Sequence, residues 1–307
     1  MTLMTRPVPV LLLAIIVCGL DVYGAMALAE PLSAALADWS PAGQETLFAL
    51  LLYGILAAVA MLGRWFARDT VDSGARPGML PWLGLGVLLG VGGLVLALGD
   101  AVLAGVVVRG TAGLGIATLL LGTLVVIGQS ASEELFFRGW LQPVLARAWG
   151  PAAAIGVTAI AFALLHVAGG ARTPLTLVNL MLGGLLFGLL AWRSTGLAAP
   201  IGAHAGWNWA EAILFGLDPN PGVGGFGAIH DLDLLGAARW GGSSEGLNAS
   251  LAMTLVLAAL ILPLAVRLPF RRRPAPAAWL RHHRRRPTAK RRVGVAARDA
   301  SLPSARG

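Results

Sequence analysis

The sequence predicts an all-α protein: a polytopic transmembrane bundle of about eight helices, followed by a disordered basic C-terminal tail. Hydrophobic residues make up 57% of the 307 residues and charged residues only 12%, whereas a soluble domain carries about 25% charged residues. The apolar residues are grouped into runs of about 20, the length that crosses a bilayer core. A domain of this size cannot hide that much apolar surface from water, so a bilayer must cover it.

The predicted spans follow the apolar runs in order. The first run contains Asp21 and is followed by further runs of similar length, so we interpret it as a transmembrane helix and not as a signal peptide. The fourth run is long and interrupted by polar residues. The runs are 8–29, 44–63, 80–99, 112–147, 151–168, 175–192, 197–216 and 249–266.

These runs divide the chain into five predicted parts. A central part that carries the polar residues lies between N-terminal helices and a Gly-rich extracytoplasmic loop, and a last helix precedes the tail. The parts are 1–110 for the N-terminal helices, 111–216 for the central part, 217–248 for the loop, 249–270 for the last helix and 271–307 for the tail.

Positive charge is concentrated in the tail. From Arg267 onward there are 13 Lys and Arg residues against one acidic residue, whereas the part before it carries 10 basic and 14 acidic residues. The prolines and basic clusters of 271–307 predict disorder and attraction to the anionic headgroups of the lipid bilayer, not a nucleic-acid site. The single cysteine, Cys18, excludes a disulfide framework.

Arginines outside the tail predict the orientation in the membrane. With eight spans, most of them share one side with the tail, and the positive-inside rule assigns that side to the cytoplasm. We therefore expect an integral protein of the cytoplasmic membrane with both termini in the cytoplasm. The arginines on the cytoplasmic side are Arg64, Arg68, Arg76, Arg147 and Arg193, and those on the opposite side are Arg109, Arg172 and Arg239.

Ionisable residues inside the apolar runs mark the candidate site, because a charge within a span is costly and usually faces a cavity or a polar partner. We interpret three isolated residues, Asp21, Asn179 and Glu211, as structural or interfacial. The candidate site residues are Glu133, Glu134, Arg138, His166, His204 and Asn208.

The turn at Gly150 and Pro151 predicts that two of these residues lie level, since Gly can end one helix and Pro can open the next. Glu133 lies 17 residues before Gly150 and His166 lies 16 residues after it. At a rise of 1.5 Å per residue both are roughly 25 Å from the turn. His204 follows the opposite turn by a few residues, so we expect Glu133, His166 and His204 to converge.

Helical spacing predicts the local pairs. Glu134 and Arg138 are four residues apart, so they can pair and lower the cost of a buried charge. His204 and Asn208 share a face by the same spacing. Pairs of glycines four residues apart predict close helix packing. These pairs are Gly86 with Gly90, Gly184 with Gly188, and Gly202 with Gly206.

These side chains suit hydrolysis. A buried carboxylate beside a neutral imidazole can bind and deprotonate a water, and a second imidazole with a carboxamide can stabilise an oxyanion. Two histidines and a glutamate are also a ligand set for a divalent metal such as zinc. The sequence has no H-E-x-x-H motif, so a metal needs ligands from three helices. We favour a glutamate-activated water without a cofactor.

Three motifs carry a family resemblance: E-E-x-x-x-R over 133–138, F-x-x-x-H over 162–166 and H-x-x-x-N over 204–208. They resemble those of the CAAX-protease and bacteriocin-processing family of intramembrane proteases, which includes the Ras-converting CAAX endopeptidases. The resemblance implies that Glu133 activates a water held by His166. It also implies that His204 and Asn208 stabilise the oxyanion, and that Glu134 and Arg138 support the site.

The resemblance implies a membrane protein or peptide as the substrate, without identifying it. Two other functions stay open. One is a non-catalytic immunity or scaffold protein of the same fold, for which Glu133→Ala would leave function intact. The other is a proton-coupled transporter, since Glu and His also build proton relays, although the inverted repeats of such proteins are not visible in the sequence. The oligomeric state is not predicted.

Overall fold

The computed structural model describes residues 6–67, 78–111, 113, 115–168, 170–221 and 224–266. Eight helices dominate this described part, which confirms the all-α prediction. Arg68, Arg76 and the tail 271–307 lie outside the described residues. The helices are α1 (Pro7–Ala35), α2 (Pro41–Phe66), α3 (Met79–Leu103), α4 (Ile116–Trp149), α5 (Pro151–Ala168), α6 (Pro174–Ser194), α7 (Ala198–Trp209) and α8 (Leu251–Val266).

Six of the described helices, α1 to α6, are long and apolar enough to cross a membrane, so the chain is an integral membrane protein. α8 is apolar but has 16 residues, or about 24 Å at 1.5 Å per residue, against a hydrocarbon core of about 30 Å. α7 has 12 α-helical residues. All eight predicted spans are helical, and six of these helices are long enough to cross the membrane.

Two helices contain a π-helical segment. α4 is α-helical over Ile116–Glu134, π-helical over Leu135–Leu141 and α-helical again over Gln142–Trp149. α7 continues directly into a π-helical turn over Ala210–Leu214. π segments are rare and occur frequently at functional sites. The first segment directly follows Glu134 and contains Arg138, and the second follows Asn208 by two residues.

The predicted turn between α4 and α5 is present. Gly150 ends α4 with φ 84°, a left-handed region that costs glycine no steric penalty. Pro151 is the first residue of α5, where its missing N–H costs no helical hydrogen bond. The two helices therefore form the hairpin that carries Glu133 and His166.

A small sheet lies at one end of the bundle. β1 (Val107–Arg109) pairs antiparallel with β3 (Leu232–Leu234), which pairs parallel with β2 (Leu217–Asp218). The sheet joins the segment after α3 to the long connection between α7 and α8. We call this end of the bundle, formed by the described residues of 104–115, 170–173 and 215–250, the loop end.

Glycines bring the backbones of α3 and α7 into contact. A Cβ added at Gly86 would collide with the carbonyl oxygen of Ala199, and one at Gly90 with that of Ala203. A Cβ at Gly202 would likewise meet the carbonyl oxygen of Leu83. The close approach predicted from glycine spacing is therefore present, and it fixes α7, which carries two candidate site residues.

We expect Gly90→Ala to destabilise the bundle, because its methyl group must displace backbone atoms of Ala203 and Trp207. Overpacking of this kind costs about 1–3 kcal/mol. Gly92→Ala is the matched control, since nothing lies within 4 Å of its added Cβ. Thermal unfolding of both variants in one detergent checks this, and equal midpoints would contradict the packing account.

Candidate functional site

The candidate residues come from three helices that surround one cavity. Four of the six line this cavity, which has a volume of about 210 Å³ and which we call the polar cavity. The other two lie behind its wall and are fully buried. The lining residues are Glu133 of α4, His166 of α5 and His204 and Asn208 of α7, and those behind them are Glu134 and Arg138 of α4.

His204 is held between two carboxylates. Its Nδ1 lies 2.9 Å from Oε1 of Glu134, and because a carboxylate only accepts, Nδ1 is the donor. Its Nε2 faces Oε2 of Glu133 at 3.9 Å, too long for a direct hydrogen bond and suited to a bridging water. Phe187 stacks on the imidazole with ring centroids 4.6 Å apart. The ring position is therefore fixed from several sides.

Glu133 carries an unused acceptor. Its Oε2 is buried and has no hydrogen-bond partner among the described residues. Leaving a buried carboxylate oxygen unpaired is costly. Such a group at a cavity wall is available to a water or a substrate.

His166 presents a lone pair to the cavity. Its Nδ1 lies 2.8 Å from the carbonyl oxygen of Phe162, one turn earlier on α5. Since a carbonyl only accepts, Nδ1 carries the proton and the Nε2 of the neutral ring is an acceptor. Glu133 and His166 line the same cavity, as their spacing from the turn predicts.

Glu134 and Arg138 form the predicted ion pair. Nη1 of Arg138 lies 2.8 Å from Oε1 of Glu134, and both side chains are 0% exposed. Nη2 of Arg138 donates to the carbonyl oxygen of Gly184 on α6 at 2.9 Å. The guanidinium also lies over the Phe162 ring, 4.9 Å from its centroid. Because the same Glu134 oxygen binds His204, this pair holds the imidazole in place.

Asn208 lies one turn after His204 on α7. Its Nδ2 is 3.5 Å from Oγ of Ser130 on α4, a long contact that leaves the carboxamide available to the cavity. The next residue, Trp209, donates from Nε1 to Oγ1 of Thr123 at 3.0 Å. This bond ties α7 to α4 beside the site.

A second cavity of about 230 Å³ lies on the other side of Glu133 and His166, against α1 and α2. We call it the apolar cavity. Its polar members besides those two are Cys18, Asp21 and Tyr53. A substrate that passes from one cavity to the other would cross Glu133 and His166, which line both.

The residues interpreted as structural differ in their surroundings. Asn179 donates to the carbonyl oxygens of Asn248 and Ser250 and accepts from the Thr254 hydroxyl, which is a structural role. Glu211 makes no such bonds with the described residues, and like Asn179 it lines the polar cavity. The sequence shows Glu211 as a charge within an apolar run but does not reveal the cavity, which forms only where α7 meets the loop end.

The three proposed zinc ligands do not form a three-ligand group. The ligand atoms of Glu133, His166 and His204 do not all lie within 4.8 Å of one another. One other group of acidic residues in the described part of the chain does meet this distance. The residues present therefore do not fit a three-ligand metal centre in this arrangement. The group that meets this distance is Asp218, Asp231 and Asp233 at the loop end, whose carboxylate oxygens suit a hard cation.

Glu245 fastens the loop end to the turn before α6. Its Oε1 accepts from the backbone N–H groups of Arg172 and Thr173 at 3.1 and 2.9 Å. Burial opposes ionisation, but hydrogen bonds from Thr176, Thr173 and Arg172 outweigh it and hold the pKa of Glu245 below its ordinary value. The lowered pKa means that this attachment stabilises the fold above the ordinary glutamate pKa of about 4.3 and is lost as pH falls through the folded-state value.

We expect the amide protons of Arg172 and Thr173 to lose protection as the pH falls below about 4.3, because protonated Glu245 is a weaker acceptor. Hydrogen exchange, corrected for intrinsic rates, measures this. In Glu245→Gln the protection should be lower at pH 7 and change less with pH. If the protection of these amide protons changed with pH in that variant as it does in the wild type, Glu245 would not be the group that controls it.

The fold and the site together define a helical membrane protein with carboxylate and imidazole groups around a buried cavity. Residues 115–210, about a third of the chain, match a family model described as type II CAAX prenyl endopeptidase Rce1-like. This part of the chain is similar to the Rce1-like CAAX-protease domain, which agrees with the resemblance and supports a protease-like function in general. No curated protein and no solved structure matched the chain.

Proposed function

We propose that the protein is an intramembrane endopeptidase that hydrolyses peptide bonds in membrane-associated proteins or peptides. The observation that carries this proposal is the 3.9 Å gap between Oε2 of Glu133 and Nε2 of His204, at the wall of a cavity that His166 also lines. A water in that gap lies beside a carboxylate with a free acceptor. These are the groups that general-base hydrolysis requires.

In the proposed reaction Glu133 is the general base. His166 accepts a hydrogen bond from the water at Nε2 and orients it. The water oxygen attacks the peptide carbonyl carbon as its proton passes to Glu133. When the carbon–nitrogen bond breaks, Glu133 returns that proton to the leaving amine, so the same residue acts as base and then as acid.

His204 and Asn208 are proposed to stabilise the oxyanion. In its protonated form His204 donates from Nδ1 to Glu134 and presents Nε2–H to the cavity. The Asn208 carboxamide supplies a second donor. Donors fixed before the reaction stabilise developing charge without reorganisation. The Glu134–Arg138 pair contributes by holding the His204 ring.

We propose that the protein lies in the cytoplasmic membrane with both termini in the cytoplasm. Arg64, Arg147 and Arg193 lie near the ends of α2, α4 and α6, away from the loop end. The positive-inside rule assigns that side to the cytoplasm. The polar cavity, which Asn220 and Asn248 of the loop end also line, would then be nearer the opposite side.

Hydrolysis is tested with purified protein in lipid nanodiscs and apolar peptides derived from membrane proteins. In H₂¹⁸O we expect new carboxyl termini to carry one ¹⁸O with the wild type and not with Glu133→Ala. Equal cleavage by both would contradict the proposal. Absence of cleavage, together with a cellular phenotype that survives Glu133→Ala, would favour the immunity or scaffold function instead.

We expect the purified enzyme to keep its turnover after dialysis against EDTA or 1,10-phenanthroline, because in this mechanism Glu133 and His166 act on the water directly and His204 stabilises the oxyanion. Turnover before and after chelation is compared at equal protein concentration. Loss of activity that zinc restores would contradict the metal-free mechanism.

A further inference from the structure

Glu211 is a buried carboxylate for which the described residues provide no hydrogen-bond partner or counter-ion. It is 7% exposed, lines the polar cavity, and its Oε1 is enclosed without a hydrogen bond. It makes no hydrogen bond or ion pair with any residue in the described part of the chain. A lone carboxylate within a membrane protein is costly and usually faces a cation or a functional path.

The two histidines, His166 and His204, are the basic residues among the described lining of the polar cavity. The acidic residues among the described lining of the polar cavity are Glu133 and Glu211, and the lining includes no Lys or Arg. The apolar cavity repeats this pattern, since Asp21 and Glu133 line it, again without Lys or Arg. Among the described residues, the lining of both cavities therefore carries carboxylates and histidines but no permanent positive charge.

The backbone around Glu211 positions its side chain. Glu211 belongs to the π-helical turn Ala210–Leu214, which extends α7 beyond Asn208. Asn220, Pro221 and Asn248 complete the cavity on the side of the loop end. Glu211 thus lies between the reacting groups and the loop end, just beyond the matched family range.

We propose that Glu211 forms a subsite that binds a basic side chain, Lys or Arg, of the substrate. This inference rests on the proposed peptidase function and adds a substrate class to it: apolar segments with one basic residue near the cleaved bond. The substrate ammonium or guanidinium group supplies the charge that the chain omits. Charge-assisted hydrogen bonds of this kind are stronger than neutral ones.

The helix sets the distance of this residue from the cleaved bond. Glu211 follows His204 by seven residues, about 10 Å along a helix that rises 1.5 Å per residue. An extended peptide spans about 3.3 Å per residue. We therefore expect the basic residue of the substrate about three positions from the cleaved bond, in the part of the peptide that lies nearer the loop end.

The test uses a series of apolar peptides, each presented in nanodiscs. In each peptide one position around the cleaved bond carries Lys, or norleucine as its neutral counterpart. We expect the wild type to cleave the Lys peptide at least about tenfold faster at one position. Glu211→Gln should cleave both peptides at the norleucine rate. Asp38→Asn removes an equal charge from an exposed position outside both cavities, and it should keep the wild-type preference.

Binding is measured separately with Glu133→Gln protein, so that failure of catalysis and failure of the subsite are distinguishable. The dissociation constant for the Lys peptide should rise at least about tenfold when Glu211→Gln is added, with no change for the norleucine peptide. An equal Lys-to-norleucine ratio with and without Glu211→Gln, in rate and in binding, would overturn the subsite. Absence of cleavage with Lys-dependent binding would contradict only the peptidase function.

Discussion

Glu133→Gln should lower the rate of peptide hydrolysis about 10²–10⁴-fold, the usual contribution of a general base. The amide keeps the shape of the side chain but cannot accept the proton of the water. Oε2 of Glu133 has no hydrogen bond with the described residues, and its distance to His204 is 3.9 Å. The substitution therefore removes little that holds the fold, and its effect should fall on turnover.

The comparison needs proof that the variant is folded. Glu133→Gln should unfold within a degree or two of the wild type, while Asp38→Asn, the exposed charge control, should keep full activity. Turnover is measured in nanodiscs under substrate saturation. If Glu133→Gln retained more than about a tenth of the wild-type rate, Glu133 would not be the general base.

Arg138→Met should cause the largest loss of stability. The guanidinium is the only Lys or Arg group that contacts Glu134 among the described residues, and both side chains are fully buried. Removing one partner of a buried ion pair leaves an uncompensated charge and costs about 3–5 kcal/mol. Loss of the Nη2 bond to the Gly184 carbonyl on α6 adds to this. Thermal unfolding in detergent and expression level both report the loss.

A double variant separates the charge effect from lost packing. Glu134→Gln with Arg138→Met removes both charges, and we expect it to be more stable than Arg138→Met alone. We also expect it to be less active than the wild type, since a neutral amide holds protonated His204 less strongly than the Glu134 carboxylate does. Arg239→Met is the matched control, because Arg239 is exposed at the loop end. A double variant no more stable than Arg138→Met would show that charge is not the cause.

Local spacing made much of the site predictable. The Glu134–Arg138 pair follows from helical geometry over four residues. The shared level of Glu133 and His166 follows from equal distances to one turn, which Gly150 and Pro151 mark clearly. Such predictions succeed because they depend only on helical rise and on strong turn residues.

Features that depend on contacts between distant segments were not predictable. The π segment Leu135–Leu141 has no sequence signature of its own. The sheet pairs Val107 with Leu234, so no local pattern reveals it. Glu211 was interpreted as structural, because only the packing of α7 against the loop end shows that it faces a cavity without a partner.

The most direct test of the peptidase account is to profile new protein N-termini in membranes of cells that express the wild type or Glu133→Ala at matched levels. It requires no prior choice of substrate. We predict a small set of N-termini that appears with the wild type and is absent with Glu133→Ala. Indistinguishable profiles, with a wild-type phenotype that persists in Glu133→Ala, would contradict catalysis by this site.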